Sequence, residues 1–130
     1  MIFVDTNYFL RYLLDDGSMQ HKKATDLFVD GSKGEKKLLT SVLVIFEVMW
    51  VLGSTYKISK NEKIDIIQRI LDMTFLKLEE RDLLYKALEI YRQVTVEFED
   101  CYNISFALKN KIENFATFDR KIIKLLSSIS

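Results

Sequence analysis

The chain has 130 residues, 48% of them apolar, and its nineteen basic residues cancel nineteen acidic ones. That length suits one domain able to bury about two-thirds of its extended surface, with little room for a second. The charge balance removes any whole-molecule attraction to nucleic acid but leaves room for a local basic rim, and Cys101, the only cysteine, excludes an internal disulfide and a thiolate metal cluster and makes a reducing compartment the simplest expectation.

Met1-Ile2-Phe3-Val4 reads as a short buried strand that stops at Asp5, and an acid inside the first apolar stretch, with no basic leader, argues against a signal peptide. Tyr8 to Leu14 has helical spacing and runs out near Asp15-Asp16-Gly17. His21 to Val29 follows as an amphipathic helix carrying Ala24, Leu27 and Phe28, and Gly31-Ser32-Lys33-Gly34 is the only glycine-rich turn in a chain without proline. Lys37 to Ser41, KLLTS, fits a second buried strand.

The next segment, SVLVIFEVMWVL at 41–52, carries a carboxylate at the centre of an apolar run. Ten of the eleven residues from Val42 to Leu52 are apolar, so a helix through them is expected to be hydrophobic on every face and packed inside the protein. It is too short to span a bilayer, and Glu47 interrupts it. A buried Glu47 would need a cationic partner, hydrogen bonds or a metal, since an isolated ionised carboxylate in such a place is expensive.

Ser59-Lys60-Asn61-Glu62 is a capping-box pattern opening a helix with Ile66, Ile67, Ile70 and Leu71 on one side. TFLKL at 74–78 makes a third strand candidate, and Arg81 to Val94 a further amphipathic helix through Leu84, Ala87, Leu88 and Tyr91. A helix continues from Asp100 through Ile104, Ala107 and Leu108. NFATF at 114–118 reads as a fourth strand, and Asp119 starts a final helix with Ile122, Ile123 and Leu126. Short apolar strands alternating with longer helices imply an α/β fold whose parallel sheet is covered on both faces. Sites in such sheets form beyond the carboxyl ends of the strands, where Asp5 and Asp119 are expected.

Asp5, Glu47, Asp100 and Asp119 are separated by 42, 53 and 19 residues, so only tertiary structure could gather them. Gathered without a cation they would repel. Oxygen-only ligands select Mg²⁺ or Mn²⁺, and such an ion can activate a water for phosphodiester cleavage. His21, the sole histidine, lies in a lysine-rich helix away from these junctions. Each aspartate has a plainer alternative as a helix cap, and Glu47 one as half of an ion pair or an exposed edge residue.

IFVDTNYFLRYLL, TSVLVIFEVMWVL, FEDCYNISFAL and FATFDRKI, in this order, resemble the PIN domain family and, within it, the VapC-type toxins of prokaryotic toxin–antitoxin pairs. The resemblance covers nearly the whole chain. It implies a three-layer α/β/α sandwich with a central, mostly parallel sheet, forming one domain over 1–130, and an Mg²⁺- or Mn²⁺-dependent endoribonuclease. The family's acids fall on Asp5, Glu47, Asp100 and Asp119; Thr6, Asn7 and Thr117 match polar positions that line its site and would orient ligands. After the third acid the family has a small alanine where this chain has Cys101, so Glu99 and Asp100 both stand as candidates. The helical spacing of Cys101, Ile104 and Leu108 turns Cys101 into the core and Asp100 toward the strand ends.

Lys109, Lys111, Arg120, Lys121 and Lys124, around the last two acids, could attract a nucleic-acid backbone or form an ordinary solvated face, and Arg11 is a further phosphate-contact candidate. Trp50, Tyr56, Phe46 and Met49 leave room for a dimer or antitoxin groove beside core packing. The resemblance implies a cytoplasmic homodimer acting on RNA, blocked by a small antitoxin, with no membrane association. Two other classes compete: a non-catalytic PIN-like module binding RNA or protein, and a phosphoryl-transfer or receiver domain using Asp5 as nucleophile. Asn7, where the former expects a second acid, and the lack of an adjacent acidic pair at Asp5 speak against the last.

Overall fold

The computed structural model describes residues 1–129. Its first unit, Met1–Arg81, contains β1 (Ile2–Phe3), α1 (Thr6–Leu13), α2 (Met19–Ser32), β2 (Leu38–Thr40), α3 (Val42–Ser54), α4 (Lys60–Leu71) and β3 (Leu76–Leu78). Among the described residues the strands form one parallel sheet in the order β1-β2-β3, with Ile2 opposite Leu38, Phe3 opposite Leu39 and Leu38 opposite Leu76. Parallel neighbours need long crossovers, and each here is a pair of helices: α1 and α2 between the first strands, α3 and α4 between the next. The α/β class with a parallel sheet is therefore as the sequence implies.

Helix starts are set by short polar side chains that satisfy the first free N–H groups. Ser18 accepts from His21 N, Ser41 from Val44 N and Ser59 from Glu62 N, while Asp5 accepts from Thr6 N. At the other end of α4, the Arg81 guanidinium donates to the carbonyls of Leu71 and Leu76. Phe9, Phe28, Leu38, Ile45, Leu52, Ile67, Ile70, Leu71 and Leu76 are buried in this unit. Gly31 lies where α2 approaches β2, and a Cβ placed there would come within 2.6 Å of Leu38 Cδ1.

Two burial expectations are corrected here. Ile2 and Phe3 are exposed in β1, the edge strand among the described residues, and the buried residue of this stretch is Val4, just past the strand and only 1% exposed. Glu47 is also exposed, together with Leu43 and Trp50, at positions one and two turns apart. Val44, Ile45, Val48, Met49 and Leu52 form the buried side of α3. A run that is apolar throughout conceals which stripe faces water, so Glu47 needs no buried partner to be tolerated.

The second unit begins at Asp82. It holds most of α5 (Arg81–Gln93), then α6 (Phe98–Lys109) and α7 (Arg120–Ile129). Leu83, Leu84, Ala87, Leu88, Phe98, Cys101 and Ile104 are buried. Cys101 lies in the core as its spacing implies, whereas Leu108 is half exposed. The expected strand at 114–118 is not formed: among the described residues the segment joins no ladder, and Phe118 is fully exposed. Its polar side chains cap the backbone locally, Asn114 Oδ1 accepting from Phe115 N and Thr117 Oγ1 from Asp119 N, which competes with strand pairing. No described helix is long and apolar enough to cross a membrane.

Candidate active site

Asp5 follows the last residue of the first apolar stretch and caps α1, its Oδ1 accepting from Thr6 N at 2.8 Å. The backbone that carries it is fastened on the β2 side: Val4 N donates to Leu39 O at 2.8 Å, and Thr40 Oγ1 donates to Val4 O at 2.8 Å. Extended by two residues, the parallel register brings Asp5 level with Ser41, the cap of α3, so both helices start at the carboxyl ends of adjacent strands. Thr6 is only 4% exposed, and its Oγ1 has no hydrogen-bond partner among the described residues. A buried hydroxyl left unpaired is costly, and a bound water or ion is among the groups that can supply the missing partner. Asn7 is exposed beside it, and Glu47 faces water from the second turn of α3.

In the second unit Asp100 is half buried in the first turn of α6, where the helix dipole favours a negative charge. Glu97, not Asp100, occupies the cap position, and Glu99 is exposed. Asp119 caps α7: its Oδ1 accepts from Lys121 N at 2.8 Å and Ile122 N at 3.3 Å, while its own N–H donates to Thr117 Oγ1 at 3.1 Å. Asp119 thus stands at a coil-to-helix junction, where a strand was expected to end. Capping uses Oδ1 of both Asp5 and Asp119.

Among the described residues no three His, Cys, Asp or Glu side chains stand together as a metal-holding group. The donor chemistry nevertheless fits a hard cation, because Asp5 and the unpaired Thr6 hydroxyl offer oxygen atoms only.

Of the basic candidates, Lys109 ends α6, Lys111 sits in a left-handed turn with φ 52°, and Arg120, Lys121 and Lys124 are exposed on α7. Arg11 lies in the last turn of α1 and pairs with Asp16 at 3.1 Å. His21 is structural: its Nδ1 lies 2.7 Å from the Arg11 carbonyl, joining α2 to the last turn of α1. A cleft of about 250 Å³ opens between these helices, lined by Asn7, Tyr8, Arg11, Gln20, Lys23 and Ala24. Apart from Asn7, Arg11 and the apolar Ala24, its residues have no distinguishing mark in the sequence beyond the spacing that puts Tyr8 with Arg11, and Gln20 with Lys23, on shared helix faces.

Residues 2–125 match the PIN domain family. A VapC ribonuclease of Aquifex aeolicus (strain VF5) is 26% identical over 127 residues, covering 96% of this chain and 92% of the relative. Among solved structures, the chain is similar to Mycobacterium tuberculosis VapC20, a Sarcin-Ricin loop cleaving toxin, with 21% identity, a TM-score of 0.45 and coverage of 96% of this chain and 95% of that one. With nearly its full length matched, the chain belongs to the PIN domain family.

Proposed function

We propose that the protein is an Mg²⁺- or Mn²⁺-dependent endoribonuclease, the toxin of a type II toxin–antitoxin pair, working in the cytoplasm as a single PIN domain. The observation that carries this reading is the family match across 2–125, a span that includes Asp5, Glu47, Asp100 and Asp119. The VapC ribonuclease similar along 96% of the chain supports RNA as the substrate and an antitoxin as the partner.

Asp5, Glu47, Asp100 and Asp119 would hold the ion, with Thr6, Asn7 and Thr117 orienting them. When bound, the cation neutralises charge on the phosphate and lowers the pKa of an attacking water. The residues supply the rest. Asp5 and Asp119 are held at helix starts by their own caps, so their carboxylates are positioned before substrate arrives. Glu47 faces water, so binding a cation there would not break a buried ion pair. Arg120, Lys121, Lys109 and Lys111 would attract the RNA backbone without reading its sequence. Leu43 and Trp50, 73% and 67% exposed on α3, offer apolar surface for a homodimer or an antitoxin.

The reading is tested by incubating purified wild type and Asp5→Asn with labelled RNA, with Mg²⁺ or Mn²⁺ and with a chelator. Cleavage by wild type alone, lost with the chelator, is expected. Equal cleavage by both proteins in a contaminant-free preparation would rule the assignment out.

A further inference from the structure

We propose that the cleft between α1 and α2 is a subsite for one unpaired nucleotide, its base lying on Tyr8 and its phosphate held by Arg11 and Lys23; that the polymer is RNA rests on the ribonuclease reading above. The cleft is lined by two cations, two amides and one aromatic ring, with no carboxylate among them. Two cations lining one opening make its potential positive and attract an anion. Lys22 already pairs with Asp26 at 3.6 Å, whereas no acid pairs with Lys23 among the described residues. Arg11 is held by Asp16, but that pair is exposed on both sides, so exchanging Asp16 for a phosphate costs little.

The remaining groups select the rest of a nucleotide. Tyr8 is 37% exposed, and an exposed tyrosine ring is the common platform for an unstacked base. Asn7 and Gln20 bring amide donors and acceptors to the same opening and can bond the edges of that base. Ala24, 1% exposed, floors the cleft with the smallest side chain that keeps the helices packed. The volume of about 250 Å³ lies below the usual range for ligand pockets, roughly 300–1,000 Å³, and suits a single base; a duplex cannot enter. Arg11 follows Asp5 by six residues, about 9 Å along a helix, the length of a few stacked nucleotides. The nucleotide held here would therefore lie about two or three positions from the scissile one, and the cleft selects for single-stranded RNA at that side.

The test uses the full chain carrying Asp5→Asn and a short fluorescein-labelled single-stranded RNA of mixed sequence, followed by anisotropy across a salt series. Lys23→Gln is expected to weaken binding and lower the log–log salt slope by about 1. Tyr8→Ala is expected to weaken binding about tenfold and Tyr8→Phe to restore it, both measured at a temperature where thermal melting shows each variant folded. In the otherwise wild-type chain, Tyr8→Ala should raise KM far more than it lowers kcat. Unchanged affinity and salt slope in these variants, no rescue by phenylalanine, or loss only of antitoxin binding overturns the subsite. If wild type cleaves no RNA while binding still depends on Tyr8 and Lys23, the subsite stands and the nuclease reading fails. If wild type cleaves and binding is indifferent to both residues, the subsite alone fails.

Discussion

Thr40 Oγ1 donates a 2.8 Å hydrogen bond to the Val4 carbonyl, joining the end of β2 to the residue immediately before Asp5. The bond is buried, so its loss exposes no replacement water to the carbonyl. Thr40→Val keeps the shape and removes the donor, and should cost about 1–3 kcal/mol of stability in urea unfolding. Under the proposed function it should also lower cleavage at temperatures where the variant is fully folded, because Asp5 loses its anchor. A variant as stable and as active as wild type would show that Val4 is held in place by the strand ladder alone.

Asp5 has two roles that one substitution separates. Asparagine caps helices about as well as aspartate, so Asp5→Asn should change stability by no more than about 0.5 kcal/mol. The same change removes an anionic oxygen ligand and should reduce RNA cleavage at least about a hundredfold. Large destabilisation with activity falling only in proportion to the folded fraction would reduce Asp5 to a cap. Asp119→Asn, at a helix start of the same kind, should behave alike.

At Gly31 an added methyl meets Leu38 Cδ1 at 2.6 Å and Phe75 at 3.1 Å. The Leu38 tip can rotate in principle, but Leu38 is 1% exposed and hemmed in by the core. Gly31→Ala should therefore destabilise by about 1–3 kcal/mol despite the better helix propensity of alanine. Chemical denaturation reads this directly; a stabilised variant would mean that α2 and β2 separate easily.

The Ser18 hydroxyl, then the Ser18 N–H at 3.0 Å, and further the Arg11 guanidinium hold the Asp16 carboxyl below its ordinary value of 3.8. A depressed value means that the folded chain favours the ionised form. The resulting contribution to stability is present above the unfolded value and disappears as pH falls through the lower folded one. An NMR titration of Asp16 should give a midpoint below 3.8, raised by Ser18→Ala. A wild-type midpoint at or above that value contradicts the loop geometry.

Much of the fold was legible because its signals are local. KLLTS and TFLKL enclose β2 and β3, and the capping box at Ser59 marks the start of α4. Asp5, Asp100 and Asp119 are at or beside helix starts, as their setting implied. What failed depends on neighbours that a linear pattern does not specify. Glu47 was placed inside because α3 is apolar all round, whereas the exposed stripe through Leu43, Glu47 and Trp50 is decided by what packs against the other side. NFATF has the composition of a strand, but composition supplies no pairing partner, and Asn114 and Thr117 satisfy backbone groups locally. The α1–α2 cleft was invisible for a related reason: its residues become neighbours only when His21 joins the two helices.

Titration calorimetry of the full chain with Mn²⁺ tests the central claim most directly. Wild type should bind the ion, and Asp5→Asn, Glu47→Gln, Asp100→Asn and Asp119→Asn should each weaken binding about tenfold or more while the protein stays folded. No binding by wild type, or an affinity indifferent to all four substitutions, would contradict a carboxylate-held cation and with it the proposed nuclease.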